Sequence, residues 1–122
     1  MWKGLQMAFG ALSISASGLH ASIVNLRASA HNIANIDTNG FKSQTVVNKS
    51  LSTGGVFSTV RQTDTPGNPL FDPVTGGTVE GSNVNTVNEM VNLIISGAHA
   101  RSNANAIRAA DDILGFIVNL IA

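Results

Sequence analysis

The stretch that decides the fold is Leu12 to Ile33, LSISASGLHASIVNLRASAHNI. Leu12, Ala16, Leu19, Ile23, Leu26, Ala30 and Ile33 follow one another at steps of four and three, a seven-residue repeat. An α-helix turns once in about 3.6 residues, so such a repeat holds one apolar row along one side, the seam of a left-handed coiled coil. Ser22 and Asn25 fall off that row. Between Gly4 and Phe41 the only formal charges are Arg27 and Asp37. A helix with a solvated back normally carries charges opposite its apolar side. The back of this helix is therefore expected to meet a second neighbour.

Outward from this helix, the sequence predicts a stop near Asn35. Asp37, Thr38, Asn39 and Gly40 are turn formers, Gly40 can take positive φ without strain, and Phe41 can pin the turn. Residues 42–82 change character. Val46-Val47 and Val56 to Val60 have the β-branched content of short strands. Gly54-Gly55, Pro66-Gly67, Asn68-Pro69, Asp72-Pro73 and Gly76-Gly77 interrupt them. Little core is expected there. Helical spacing returns after Ser82, with Ser82 or Asn83 as the expected N-cap. Val84, Val87, Val91, Ile94 and Ala98 form one stripe, and Ile107, Ala110, Leu114, Ile117 and Ile121 a second. The expected fold is mainly α, with long N- and C-terminal helices paired as a coiled coil around a short irregular, β-rich middle. The expected segments are 1–41 (N-terminal helix and turn), 42–82 (middle) and 83–122 (C-terminal helix).

Composition narrows the function. The chain has 122 residues, of which only 11% are charged, and seven Lys and Arg balance seven Asp and Glu. Soluble domains usually carry about 25% charged residues. Neutrality argues against nucleic-acid binding, which needs a basic stripe, and there is no polybasic run for anionic lipid. Cys is absent, which removes disulfides, thiolate metal sites and a Cys nucleophile. Met1 to Ile14 faintly resembles a signal peptide but is broken by Gly10 and Ser13. Ile113 to Ala122 is shorter than the about 20 residues that span a bilayer. No transmembrane segment and no cleaved signal are expected.

No catalytic constellation is legible. His20, His31 and His99 lack metal-ligand spacing. Asp111 and Asp112 are adjacent, so they point about 100° apart on a helix and cannot share acid–base work. The run from Asp37 to Gly40 has its Gly two positions too early for a calcium loop, and Asn48 stands where Glu would close it. The Gly-Gly pairs precede no Lys-Ser or Lys-Thr. No enzyme activity, cofactor, metal or small-molecule substrate is expected.

Two blocks carry a resemblance. Ser17-Gly-Leu-His-Ala-Ser, followed by Asn32-Ile-Ala-Asn-Ile-Asp-Thr-Asn-Gly-Phe-Lys42, resembles the N-terminal signature of flagellar basal-body rod and hook proteins. The family's Ala-Asn helix end and Thr-x-Gly-aromatic-basic turn correspond to Ala34-Asn35, Thr38, Gly40, Phe41 and Lys42. Ser82-Asn-Val-Asn-Thr-Val-Asn-Glu-Met-Val-Asn-Leu-Ile94 is similar to the second signature, which includes Asn83, Val84, Glu89 and Met90. Gln62 to Gly67 and Phe71-Asp-Pro73 are similar to the proximal-rod type, and the short length fits that type better than the larger distal-rod or hook proteins. The chain diverges where the family has Arg and Tyr after the Glu-Met-Val block; Ala98 and Ala100 stand there.

The resemblance implies a structural subunit of an axial, helically assembled, flagellar-rod-like tube, exported without a cleaved signal peptide and located in the basal body. Its partners would be copies of itself and other rod-like subunits. Leu12, Leu19, Ile23, Leu26, Ile33, Ile107, Leu114 and Ile117 are the expected seam residues. Ser96, Gly97, Ala98, Ala100, Ser102 and Ala104 form a patch of small side chains, read as a close helix crossing between neighbouring subunits centred on Gly97, Ala98 and Ala100. Two alternatives remain at this stage: a free-standing extracellular filament, and a small soluble helical domain that binds a peptide or ligand.

Overall fold

The computed structural model describes residues 2–121. Met1 and Ala122, the outer ends of the expected segments 1–41 and 83–122, lie outside the described residues. Helix α1 (Trp2–Ala34) is followed by strands β1 (Gln44–Ser50), β2 (Val56–Gln62), β3 (Pro69–Phe71) and β4 (Thr78–Glu80), then by helix α2 (Thr86–Ile121). The strands form two separate antiparallel hairpins, β1 with β2 and β3 with β4.

The two helices run antiparallel, and two contacts fix their register. Gly18 faces Asn103 so closely that a Cβ on Gly18 would lie 2.6 Å from the Asn103 Oδ1. Asn32 donates from Nδ2 to Glu89 Oε1 at 2.9 Å. The step from Gly18 forward to Asn32 equals the step from Asn103 back to Glu89, so the register holds between them.

Burial follows a seven-residue period on both helices, but not with the residues the apolar pattern selects. On α1, Leu12, Leu19, Leu26 and Ile33 are half-buried. Their companion row is Ala8, Ser15, Ser22 and Ser29, not Ala16, Ile23 and Ala30. Ser22 is 5% exposed and Ile23 37%. The reason is steric: one-carbon side chains beside a Leu row let two helix backbones approach, which an Ile row would hold apart. The polar cost is small, because Ser22 Oγ donates to the Gly18 carbonyl one turn back at 2.8 Å.

Helix α2 has one continuous inward stripe rather than two. Glu89, Ser96, Asn103, Ala110 and Ile117 recur every seven residues with Leu93, Ala100, Ile107 and Leu114 between them, all buried or half-buried. Ile107, Ala110, Leu114 and Ile117 lie on this stripe. Val87, Val91 and Ile94 turn outward instead, at 70%, 47% and 72% exposure. The N-cap is Asn85, whose Oδ1 accepts from Asn88 N at 3.0 Å, in place of the expected Ser82 or Asn83.

The first hairpin lies along α1. At its base, Gln44 is held by Asn32, and at its tip Val56 N donates to Ser17 Oγ at 3.0 Å. The lengths match: α1 from Ser17 to Asn32 covers about 22 Å, and a seven-residue strand such as β1 about 23 Å. The β3–β4 hairpin stands clear of both helices, with Phe71 and Val74 at its turn 70% and 90% exposed.

α1 is also long and apolar enough to cross a membrane by length and composition, with a mean hydropathy of 1.4 over 18 residues. Reading Met1 to Ile14 and the C-terminal run apart does not reveal this, because the stretch emerges only when α1 is one uninterrupted helix.

Candidate functional site

The two sequence blocks meet at one junction, built largely from asparagine. Asn32, 0% exposed, accepts from Gln44 N through Oδ1 at 2.7 Å and donates from Nδ2 to Gln44 O at 2.8 Å. Its carboxamide thus acts as a short piece of neighbouring strand. The same Nδ2 reaches Glu89, itself only 9% exposed. One buried side chain therefore joins the end of α1, the start of β1 and the start of α2.

Asn83 repeats the device one residue earlier. Its Oδ1 accepts from Ser43 N at 2.6 Å, its Nδ2 donates to Thr65 O at 2.7 Å, and its own N–H bonds Phe41 O at 3.2 Å. Carboxamides suit this work because each offers both a donor and an acceptor to a backbone with no strand partner.

The turn is built as its residue types suggest. Asn35 Nδ2 bonds His31 O at 2.9 Å, and its Oδ1 accepts from the Thr38 hydroxyl at 3.2 Å. Gly40 has φ 70°, which admits glycine at no steric cost, and its N–H meets Glu80 O at 2.7 Å. Phe41 packs its ring edge on His31, with centroids 5.4 Å apart. Lys42 forms an ion pair with Glu80, whose Oε1 also accepts from Gly67 N at 2.7 Å. The Lys42 ammonium and the Gly67 N–H together hold the Glu80 carboxyl below its ordinary range.

The remaining expected residues divide. Val84 is half-buried beside Ser82, whereas Met90 lies outside the junction at 54% exposure. Of the small-residue patch, Ser96 and Ala100 face α1, Gly97 is half-buried and Ala98 is exposed. Because Ala100 faces α1, a larger side chain there would strike the intramolecular pair as well as any contact between subunits. Sequence reasoning did not single out Asn32 from its block, Ser17 as the hairpin's anchor, or Glu80. In a chain with so few charges, the one acid between Asp72 and Glu89 was a usable signal for a partner of Lys42.

No group of three or more His, Asp and Glu positioned for a metal occurs among the described residues. A cleft of about 430 Å³ lies between α1, α2 and the first hairpin, with Asn25, Asn92, His99 and Asn103 on its walls.

Comparison with known proteins bears on this junction. Residues 75–120 match the family described as flagellar basal body rod FlgEFG protein C-terminal. Flagellar hook protein FlgE of Salmonella typhimurium and that of Escherichia coli are each 41% identical to this chain over 56 residues, 46% of this chain. Part of the chain is thus similar to flagellar basal-body rod and hook proteins. The part matched to the family's C-terminal region takes in β4, Asn83, Glu89 and nearly all of α2. The aligned part amounts to 14% of the length of these hook proteins. The junction fixes where the first hairpin and the turn leave the helix pair.

Proposed function

We propose that the chain is a structural subunit of an axial, helically assembled tube of the flagellar rod type, in the basal body. Its helix pair, carried by segments 1–41 and 83–122, is read as a coiled coil that packs against copies of itself and other rod-like subunits. Segment 42–82 decorates that pair or sets contacts along the axis. The similarity of Gln62 to Gly67 and Phe71 to Pro73 to the proximal-rod type supports a place there.

The observation that carries this reading is the poverty of the core beside the size of the surface. Among the described residues, the buried apolar ones are Ala8, Ala21, Ala28 and Ala110, single methyl groups worth about 0.8 kcal/mol each. The chain exposes 8,429 Å², whereas a folded monomer of its 12.6 kDa should expose about 6,200 Å². Elongation accounts for part of the excess. The identity of the exposed groups supports the rest: Trp2, Met7, Phe9, Ile94, Phe116 and Leu120 are each more than half exposed. Low charge leaves little to repel a neighbour.

Negative-stain imaging of the concentrated, purified chain, alone and mixed with other rod subunits, tests the proposal. Tubes or short rods of regular diameter are expected. Featureless monomers in both samples contradict it.

A further inference from the structure

Helix α2 carries an apolar stripe on the side away from α1. Val87, Val91, Ile94 and Ala98 step by four, three and four residues, roughly opposite the inward Leu93, Ser96 and Ala100. Among the described residues nothing else covers this stripe, whose three large members are 70%, 47% and 72% exposed. Helix α1 has a comparable free face. Phe9, Ala16, Ile23 and Ala30 repeat every seven residues, on the flank turned from both α2 and the first hairpin. Phe9 is 55% exposed and Ile23 37%.

We propose that the α2 stripe of one copy docks on the α1 free face of a second copy; this rests on the assembly reading above. Four observations select this occupant. A stripe at seven-residue spacing fits a helix with the same repeat, which the α1 face offers. Branched Val87, Val91 and Ile94 are complementary in size to a row that places Ala16 and Ala30 on either side of Ile23. Neither stripe contains a charge, so neither buries one. Finally, part of the roughly 2,200 Å² by which the surface exceeds that of a compact monomer is exposed apolar area of this kind, on the scale of the about 800 Å² that one partner gives to a standard interface. Two different faces make a heterologous contact that repeats without closing. A two-fold contact of α2 with α2 would set Val and Ile against Val and Ile and leave the α1 face bare.

The test uses Ile94→Asp and Ala30→Asp in the full chain, both at outward positions, with far-UV circular dichroism at a dilution where the parent is monomeric to verify that each retains the monomer's helix content. Ile23→Ser replaces Ala30→Asp if that variant loses helix. Sedimentation velocity reads assembly. The parent is expected to polymerise, and each variant alone to lose at least tenfold in polymer. An equimolar mixture of the two should give dimers and nothing larger, because each variant retains the face the other lacks. Loss of polymer with Ile94→Asp but not with the α1 variant would assign a two-fold α2 contact and overturn the proposal. Polymer from both variants overturns it while leaving the assembly reading standing. A parent that stays monomeric overturns both. A monomeric parent that floats with phosphatidylcholine vesicles and is released by Ile94→Asp would assign the stripe to lipid, and also overturns it.

Discussion

Asn32 and Glu89, 57 positions apart, share a 2.9 Å hydrogen bond where the end of one helix meets the start of the other. With the two bonds from Asn32 to Gln44, it ties both helices and the first hairpin to one buried carboxamide. Asn32→Ala leaves the Gln44 N–H and C=O and the Glu89 carboxylate without this partner. Each buried group so stranded costs about 1–3 kcal/mol. Equilibrium denaturation should therefore show a loss of at least ~2 kcal/mol. A change within ~0.5 kcal/mol would mean that water replaces the carboxamide freely.

The serine row makes a contrasting prediction. Ser22→Leu adds a branched side chain at a buried position on the helix-facing row, and overpacking of this kind costs about 1–3 kcal/mol. Ile23→Ser, next to it but 37% exposed, should cost less in the isolated chain. Denaturation of the two variants below the assembly concentration decides the order. If Ile23→Ser proves the more damaging, the Ile row and not the Ser row forms the contact.

That contrast marks the limit of what the sequence reveals. The Leu row and the turn from Asp37 to Phe41 are legible, because apolar periodicity and turn chemistry are local. The serines at 15, 22 and 29 have the same period, but hydrophobicity does not register it. The inward Glu89, Ser96 and Asn103 likewise made α2 look like two stripes with a gap. The strands follow their β-branched runs, with β1 and β2 around Val46-Val47 and Val56 to Val60. Asparagine was the least legible residue: Asn32, Asn83 and Asn85 act as clamp, clamp and cap, and local preference does not separate these roles.

Glu80 predicts a pH response. Its folded-state pKa is lowered, first by the Lys42 hydrogen bond and then by the Gly67 N–H, from an ordinary 4.5. A depressed carboxylate pKa contributes stability that is present above the ordinary value and is lost as pH falls through the folded one. Acidification below about pH 4.5 should therefore loosen the turn, read as faster amide hydrogen exchange at Gly67. Glu80→Gln should flatten that pH dependence. An identical pH profile in the variant would assign the response to another group.

Gly67→Ala tests how the middle segment closes onto α2. A Cβ at this position would lie 2.0 Å from the Gly81 carbonyl oxygen, a backbone atom that no rotamer change can move. The bond from Gly81 N to Asn68 O should break with it. Hydrogen exchange at Gly81 and Asn83 should rise at least tenfold while the centre of α1 stays protected. Unchanged exchange would mean that the two strands of this crossing can separate without consequence.

The central claim is that this fold is one part of a larger packing and is completed by its neighbours. Sedimentation equilibrium of the purified parent chain across a thousandfold concentration range, with far-UV circular dichroism at each point, tests it most directly. The account predicts that average mass rises steeply from the 12.6 kDa monomer and that helix content rises with it, as segments order on binding. A constant monomer mass with constant helicity across the range would contradict it.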